Sequence, residues 1–147
     1  MRTEILTLCM TLITCAGNAQ SETALIKQKW ILVSATADVS TDLNNRGTAS
    51  TDLFAQYPPC STDDIYHFKD KGVFINDENK EICQLPKTYT GSWSIKNNDS
   101  IRINFGRQNL IMTFKMVRVS KTDMLLRTRQ SLKSGAADVL YSFRRID

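Results

Sequence analysis

One histidine and four cysteines are spread over 147 residues, and each scarcity removes a class of chemistry. His67 is the sole histidine, and no serine or cysteine is set beside it by a recognisable motif. Nucleophilic catalysis therefore lacks a base with a partner, and His67 is expected to be an exposed strand residue. The two cysteines outside the N-terminal segment, Cys60 and Cys83, fall short of four zinc ligands even with His67 added. No glycine-rich phosphate loop is present. No apolar run approaches the ~20 residues that a membrane-crossing helix needs. Repeats and low-complexity segments are also missing. The chain thus implies no metal, no cofactor and no catalytic residues. The adjacent carboxylates Asp63-Asp64 and Asp77-Glu78 do not change this, because a calcium loop spreads its ligands over a longer run. They are expected to be solvated turn charges.

What is present fits one globular domain. Hydrophobic residues make up 41% of the chain, ordinary for a packed core and too many for disorder. The net charge of +4 conceals an uneven division. Residues 20–85 hold six basic and ten acidic side chains, and residues 86–147 hold twelve and four. Arg102, Lys115, Arg127, Arg129 and Arg144 fall mostly opposite the apolar strand faces. Such a basic wall suits an acidic partner or anionic lipid headgroups, or simply forms a solvated face whose arginine stems cover the sheet. Nucleic acid is not implied, because the aromatics alternate away from the arginines.

Residues 1–19 read as a signal peptide. Arg2 supplies the positive end and Ile5 to Ile13 a short apolar run. Gly17 and Ala19 place small residues at minus three and minus one of a cleavage before Gln20. Leu12-Ile13-Thr14-Cys15 also resembles a lipobox, which would anchor lipid at Cys15, and a buried N-terminal strand is the third reading. The expectation is an exported protein of the periplasm, cell envelope or extracellular medium. Export makes a Cys60–Cys83 disulfide the simplest state of those thiols, with two free buried thiols as the alternative. The bridge would close a loop of about 22 residues, worth on the order of 3 kcal/mol in the chain-entropy model.

After a flexible lead-in over residues 20–28, the domain over 29–147 is a succession of short alternating strands. They are expected at Lys29 to Ala37, Asp64 to Phe68, Gly72 to Asn76, Thr88 to Ile95, Ser100 to Phe105, Asn109 to Arg118, Met124 to Gln130 and Asp138 to Ile146. Ile101, Ile103 and Phe105 share one side, with Arg102 and Asn104 on the other. Trp30, Leu32 and Ser34 take one face, and Ile31, Val33 and Ala35 the opposite one. Turn signals separate the strands at Lys69-Asp70-Lys71-Gly72 and Lys96-Asn97-Asn98-Asp99. Residues 38–59 have no clean period, and a polar loop of that length is often functional. Thr51 to Gln56 suits a short helical turn, stopped by Pro58-Pro59. Eight sequential antiparallel strands make an all-β, up-and-down barrel, whose inside is filled by side chains or holds one small ligand.

The order of motifs resembles the lipocalin-like domains of bacterial envelope proteins. The residues that carry the resemblance are Lys29-Trp30-Ile31-Leu32-Val33-Ser34, then Cys60-Ser61-Thr62-Asp63-Asp64-Ile65-Tyr66-His67-Phe68. Lys71-Gly72-Val73-Phe74, Cys83 and Gly91-Ser92-Trp93-Ser94 follow. Lipocalins proper carry a glycine two residues before the opening tryptophan, where this chain has Gln28. They also place an arginine near the chain end against that tryptophan, a role open to Arg144 or Arg145. The resemblance implies a barrel that binds a small apolar molecule, with no catalysis.

Parity puts Trp30, Tyr66, Phe68, Phe74, Trp93, Phe105, Met112, Phe114, Leu126, Tyr141 and Phe143 on the inner face. If they meet at the centre they fill it; if they line the walls they leave an apolar pocket. Met112, Met116 and Met124 favour an adaptable lining. The leading expectation is a monomeric, non-catalytic binder of a small hydrophobic ligand. The alternative is an envelope interaction module with a filled core. It would hold a protein or membrane surface through residues 38–59 or the basic strands.

Overall fold

The computed structural model describes residues 28–79, 87–107 and 110–147. The expected signal peptide, all of the lead-in but Gln28, and Cys83 lie outside these residues. Nine strands are found among the described residues: β1 (Lys29–Thr41), β2 (Ser50–Asp52), β3 (Ile65–Phe68), β4 (Val73–Asp77), β5 (Thr88–Lys96), β6 (Ser100–Asn104), β7 (Ile111–Val119), β8 (Asp123–Leu132) and β9 (Gly135–Ile146). β1 and β3 to β9 pair in sequence order, and β9 returns to β1. This is a closed, eight-stranded antiparallel barrel, as the alternation predicts. Closure removes the edges that an open sheet would expose.

Turn chemistry sets the meander. Asn97 and Asn98 both have positive φ, 50° and 59°. This is the conformation of the tight hairpin turns that favour asparagine, and here it joins β5 to β6. Lys71 and Gly72 are also left-handed between β3 and β4. The last hairpin is tighter than expected, because β8 and β9 pair down to Leu132 opposite Gly135.

β1 departs most from the expected pattern. The register slips between Leu32 and Ser34, so a bulge reverses the alternation. Trp30 and Leu32 point inward before it, and Ala35 and Ala37 after it. Simple parity places Ala35 outside with Val33; the structure buries Ala35 completely and leaves Val33 exposed.

The expected polar loop over residues 38–59 is largely structured. β1 extends to Thr41, and β2 pairs with its far half. The helical turn covers Phe54–Gln56, with the Asp52 carboxylate accepting from the Ala55 amide at 3.1 Å. Leu53 is buried against Ala35, Ala37, Ala137 and Val139, and its amide donates to the Ala35 carbonyl at 2.9 Å. Four small residues on β1 and β9 make the recess that Leu53 fills. Gln56 completes the attachment, accepting from the Leu43 amide at 2.7 Å and donating to the Thr41 carbonyl at 3.0 Å. The segment caps one end of the barrel.

The opposite end is packed solid. Trp30, Phe68, Trp93, Ile101, Met124 and Leu126 are buried there. The Phe68 and Trp93 rings meet edge to face with centroids 5.6 Å apart, a favoured aromatic geometry. The Trp93 indole N–H donates to the Lys69 carbonyl at 2.9 Å. Arg145 stands opposite Trp30 in the β1–β9 register and Arg144 opposite Ile31. The Arg145 guanidinium lies 3.5 Å from the Asp147 carboxylate.

Candidate functional site

Between the packed end and the cap lies a cavity of about 270 Å³. It answers the alternative that composition leaves open, since the barrel is filled at one end and lined at the other. Its walls bring together Tyr66 from β3, Phe74 from β4, Phe105 after β6, Met112 and Phe114 from β7, and Tyr141 and Phe143 from β9, with Phe68 at the floor. Trp30, Trp93 and Leu126, grouped with these by parity, do not line it. They sit in the packed end below the cavity. Leu32, Tyr57, Ser61, Asp64, Asn76, Ile103, Arg107 and Leu110 complete the lining.

Six of these side chains form an unbroken collar of rings. Tyr66 meets Phe74 at 6.1 Å, Phe74 meets Phe105 at 5.4 Å and Phe105 meets Phe114 at 6.4 Å. Phe114 meets Tyr141 at 5.7 Å, Tyr141 meets Phe143 at 6.5 Å, and Phe143 returns to Tyr66 at 5.7 Å. Four of the six contacts are edge-to-face, which aims ring edges and ring faces alternately around the wall. Such a collar gives apolar contact on every side of a small guest and holds its own shape.

Phe105 reaches the collar because β6 bends. The Asn104 side chain accepts from the Gly106 amide at 2.9 Å, and the Phe105 amide donates to the Leu110 carbonyl at 2.9 Å. Gly106 takes φ +68°, a conformation that glycine adopts without a steric cost.

Polar groups collect on one side of the mouth. Asp64 is 4% exposed and Asn76 5%, which corrects the expectation that Asp63-Asp64 are solvated turn charges. Asn76 stands directly opposite Tyr66 in the β3–β4 register, and its side chain acts on the Asp64 carboxylate. Burial pushes the Asp64 carboxyl up to about 6, with Glu78 and Asp63 adding to the effect and Asn76 and Arg107 opposing it. Arg107 spans the rim. Its guanidinium lies 3.3 Å from Glu78 and 5.3 Å from the centroid of the Tyr89 ring. Burial pushes both the Tyr66 and Tyr57 phenols well above their ordinary range. The Asp64 charge adds at Tyr66 and the Tyr141 hydroxyl at Tyr57, so both are neutral donors at neutral pH. The Tyr141 hydroxyl accepts from Gln130 at 2.7 Å. Arg107 and Leu110 are exposed, so the cavity opens to solvent between the cap and the start of β7.

Asp64 and Asn76 lie at the right parity to be found from sequence, two residues before Tyr66 and two after Phe74. Tyr57 and Leu53 carried no such signal, because they reach the barrel from an aperiodic segment. His67 alternates away from the cavity, beside Lys69, Asp70 and Val73 on the outer surface. Partial burial lowers its pKa, and the Lys69 and Lys29 charges lower it further.

A closed, eight-stranded meander barrel is the architecture of the lipocalins, among other small up-and-down barrels. The profile of the lipocalin-like domain family matches residues 26–124, and the chain belongs to that family. Solved structures similar to it include bovine odorant binding protein complexed with its natural ligand. That structure is 16% identical over 84% of this chain and 72% of that one, with a TM-score of 0.48. Bovine odorant binding protein complexed with undecanal is 14% identical over 80% of this chain and 69% of that one, with a TM-score of 0.43. Among curated proteins no sequence match is found.

Proposed function

We propose that this protein is an exported, non-catalytic carrier of a small apolar ligand, held in the barrel lumen within the aromatic collar. The observation that carries the reading is the cavity itself. Six rings, Met112 and Leu32 surround about 270 Å³ and leave it open at one rim. That volume lies just below the usual range of ligand pockets, about 300–1,000 Å³, so the guest is a short-chain molecule or one of at most three rings. A non-catalytic role agrees with the position of His67, on the outer surface and away from the lumen. Export follows from the signal pattern over residues 1–19, with cleavage before Gln20 and a Cys60–Cys83 disulfide in the mature protein.

Titration with the apolar fluorophore N-phenyl-1-naphthylamine tests the reading. Saturable enhancement of its emission at one site per chain is expected, abolished by Met112→Arg with the far-ultraviolet circular dichroism unchanged. An unchanged titration in that variant would place the dye elsewhere and remove the carrier reading.

The alternative, an interaction module, has one supporting observation. Lys115 pairs with Arg127 across β7 and β8, and both are exposed on the outer wall beside exposed Arg102. Reversal of Arg102 and Arg127 to glutamate would abolish capture by anionic lipid vesicles if that wall carries the function. It leaves dye binding intact if the lumen does.

A further inference from the structure

We propose that the polar side of the cavity receives a hydrogen-bond-donating head, best a protonated primary amine, on the small apolar ligand, with Asp64 and Asn76 as its acceptors. The inference rests on the carrier reading and adds the chemistry of the guest.

Two buried oxygens carry it. Asp64 and Asn76 both line the cavity, both are more than nine-tenths buried, and each leaves an Oδ1 without a hydrogen-bond partner. On each side chain the atom left free is an acceptor oxygen. Leaving a buried acceptor unsatisfied is costly, and a hydrogen-bond donor relieves it. A ligand with an ammonium or hydroxyl head supplies that donor at the one place where the aromatic wall is interrupted.

The local charge selects among donors. Asp63 on the same segment and Glu78 after β4 act on Asp64 as like charges, against Arg107 from the turn after β6. Arg107 is itself engaged by Glu78 at 3.3 Å. Three carboxylates therefore face one guanidinium. A cationic head gains from this field, a neutral hydroxyl is indifferent to it, and a carboxylate head is repelled. Tyr66, across the ladder from Asn76, is a neutral phenol and changes none of these signs. The Asp64 carboxyl, raised to about 6, is charged at pH 7.5 and mostly neutral at pH 5.0, so amine binding alone should weaken on acidification.

Calorimetric titration of the native protein with 1-octylamine, 1-octanol and octanoate tests this. These probes share one apolar chain and differ in the head. At pH 7.5 octylamine is expected to bind at least tenfold more tightly than octanoate, with octanol between them. From pH 7.5 to 5.0, where octylamine stays protonated, its affinity should fall about tenfold while that of octanol holds within about threefold. Asp64→Asn should remove the preference for octylamine over octanol. The pH series on the native protein stands alone if that variant does not fold. Equal or tighter octanoate binding, or octylamine binding indifferent to both pH and Asp64→Asn, would overturn the inference. If N-phenyl-1-naphthylamine still binds in that event, the lumen reading survives. If neither the dye nor any of the three probes binds, both readings fall.

Discussion

The carbonyl oxygen of Asn104 lies 1.8 Å from where a β-carbon on Gly91 would stand. β6 bends over β5 at that point, and the bend turns Phe105 into the collar. No side chain larger than hydrogen fits. Gly91→Ala should therefore cost about 1–3 kcal/mol through overpacking and loosen the Phe74–Phe105 contact. Urea denaturation checks the first effect, and dye affinity checks the second. A variant as stable as the parent would mean that β6 does not need this approach.

Trp93 and Phe105 should part company in their effects. Trp93 lies below the cavity and donates to the Lys69 carbonyl, so Trp93→Phe should cost about 1–2 kcal/mol of stability with ligand affinity unchanged. Phe105 lines the lumen, so Phe105→Ala should weaken an apolar ligand at least tenfold. Melting temperatures and dye titrations on both variants measure the separation. An affinity loss in Trp93→Phe equal to that in Phe105→Ala would contradict the division into a packed end and a lined end.

Leu53 anchors the cap. It is 1% exposed, and truncation to alanine leaves a void in a recess built from alanines that cannot collapse further. Leu53→Ala should cost about 2–4 kcal/mol and increase amide hydrogen exchange in residues 50–57 before the barrel strands. Uniform exchange throughout would mean that the cap and barrel open as one unit.

Asp64 gives the apo protein an acid-side signature. Its carboxyl sits near 6 in the fold and near 3.9 in the unfolded chain. The folded state therefore binds the extra proton between those values. Stability from this group is greatest below about pH 4, falls as pH rises towards 6, and is flat above. The effect should be on the order of 1–2 kcal/mol, discounted for water at the cavity mouth. Asp64→Asn should remove it, equalling the parent near pH 4 and exceeding it at pH 7. Chemical denaturation across that range measures the difference, and parallel curves for the two proteins would refute the assignment.

Much of the barrel was legible in the sequence because its strands alternate cleanly. Ile101, Ile103, Phe114, Leu126, Val139 and Phe143 all fall inward as period two requires. The twin asparagines at 97 and 98 announce a tight turn by their chemistry. The bulge at Val33 could not be read, because one extra residue in a strand leaves no mark on composition. The cap was hidden for another reason: Leu53, Phe54 and Tyr57 belong to no repeating pattern, and their burial depends on alanines far along the chain. Parity also says which rings face inward but not how deep each lies. Trp93 and Phe105 share a face and differ only in distance from the mouth, which strand register and barrel closure decide. Asp64 and Asn76 carried the inward parity, but their polarity argued for solvent.

Native mass spectrometry of the mature protein, purified gently from its own source, tests the central claim most directly. The account predicts an added mass of a small organic molecule that leaves when the barrel is denatured, and a mass of the chain that fits a start at Gln20 with one disulfide. A bare protein that stays bare after exposure to a lipid extract and to octylamine would contradict it.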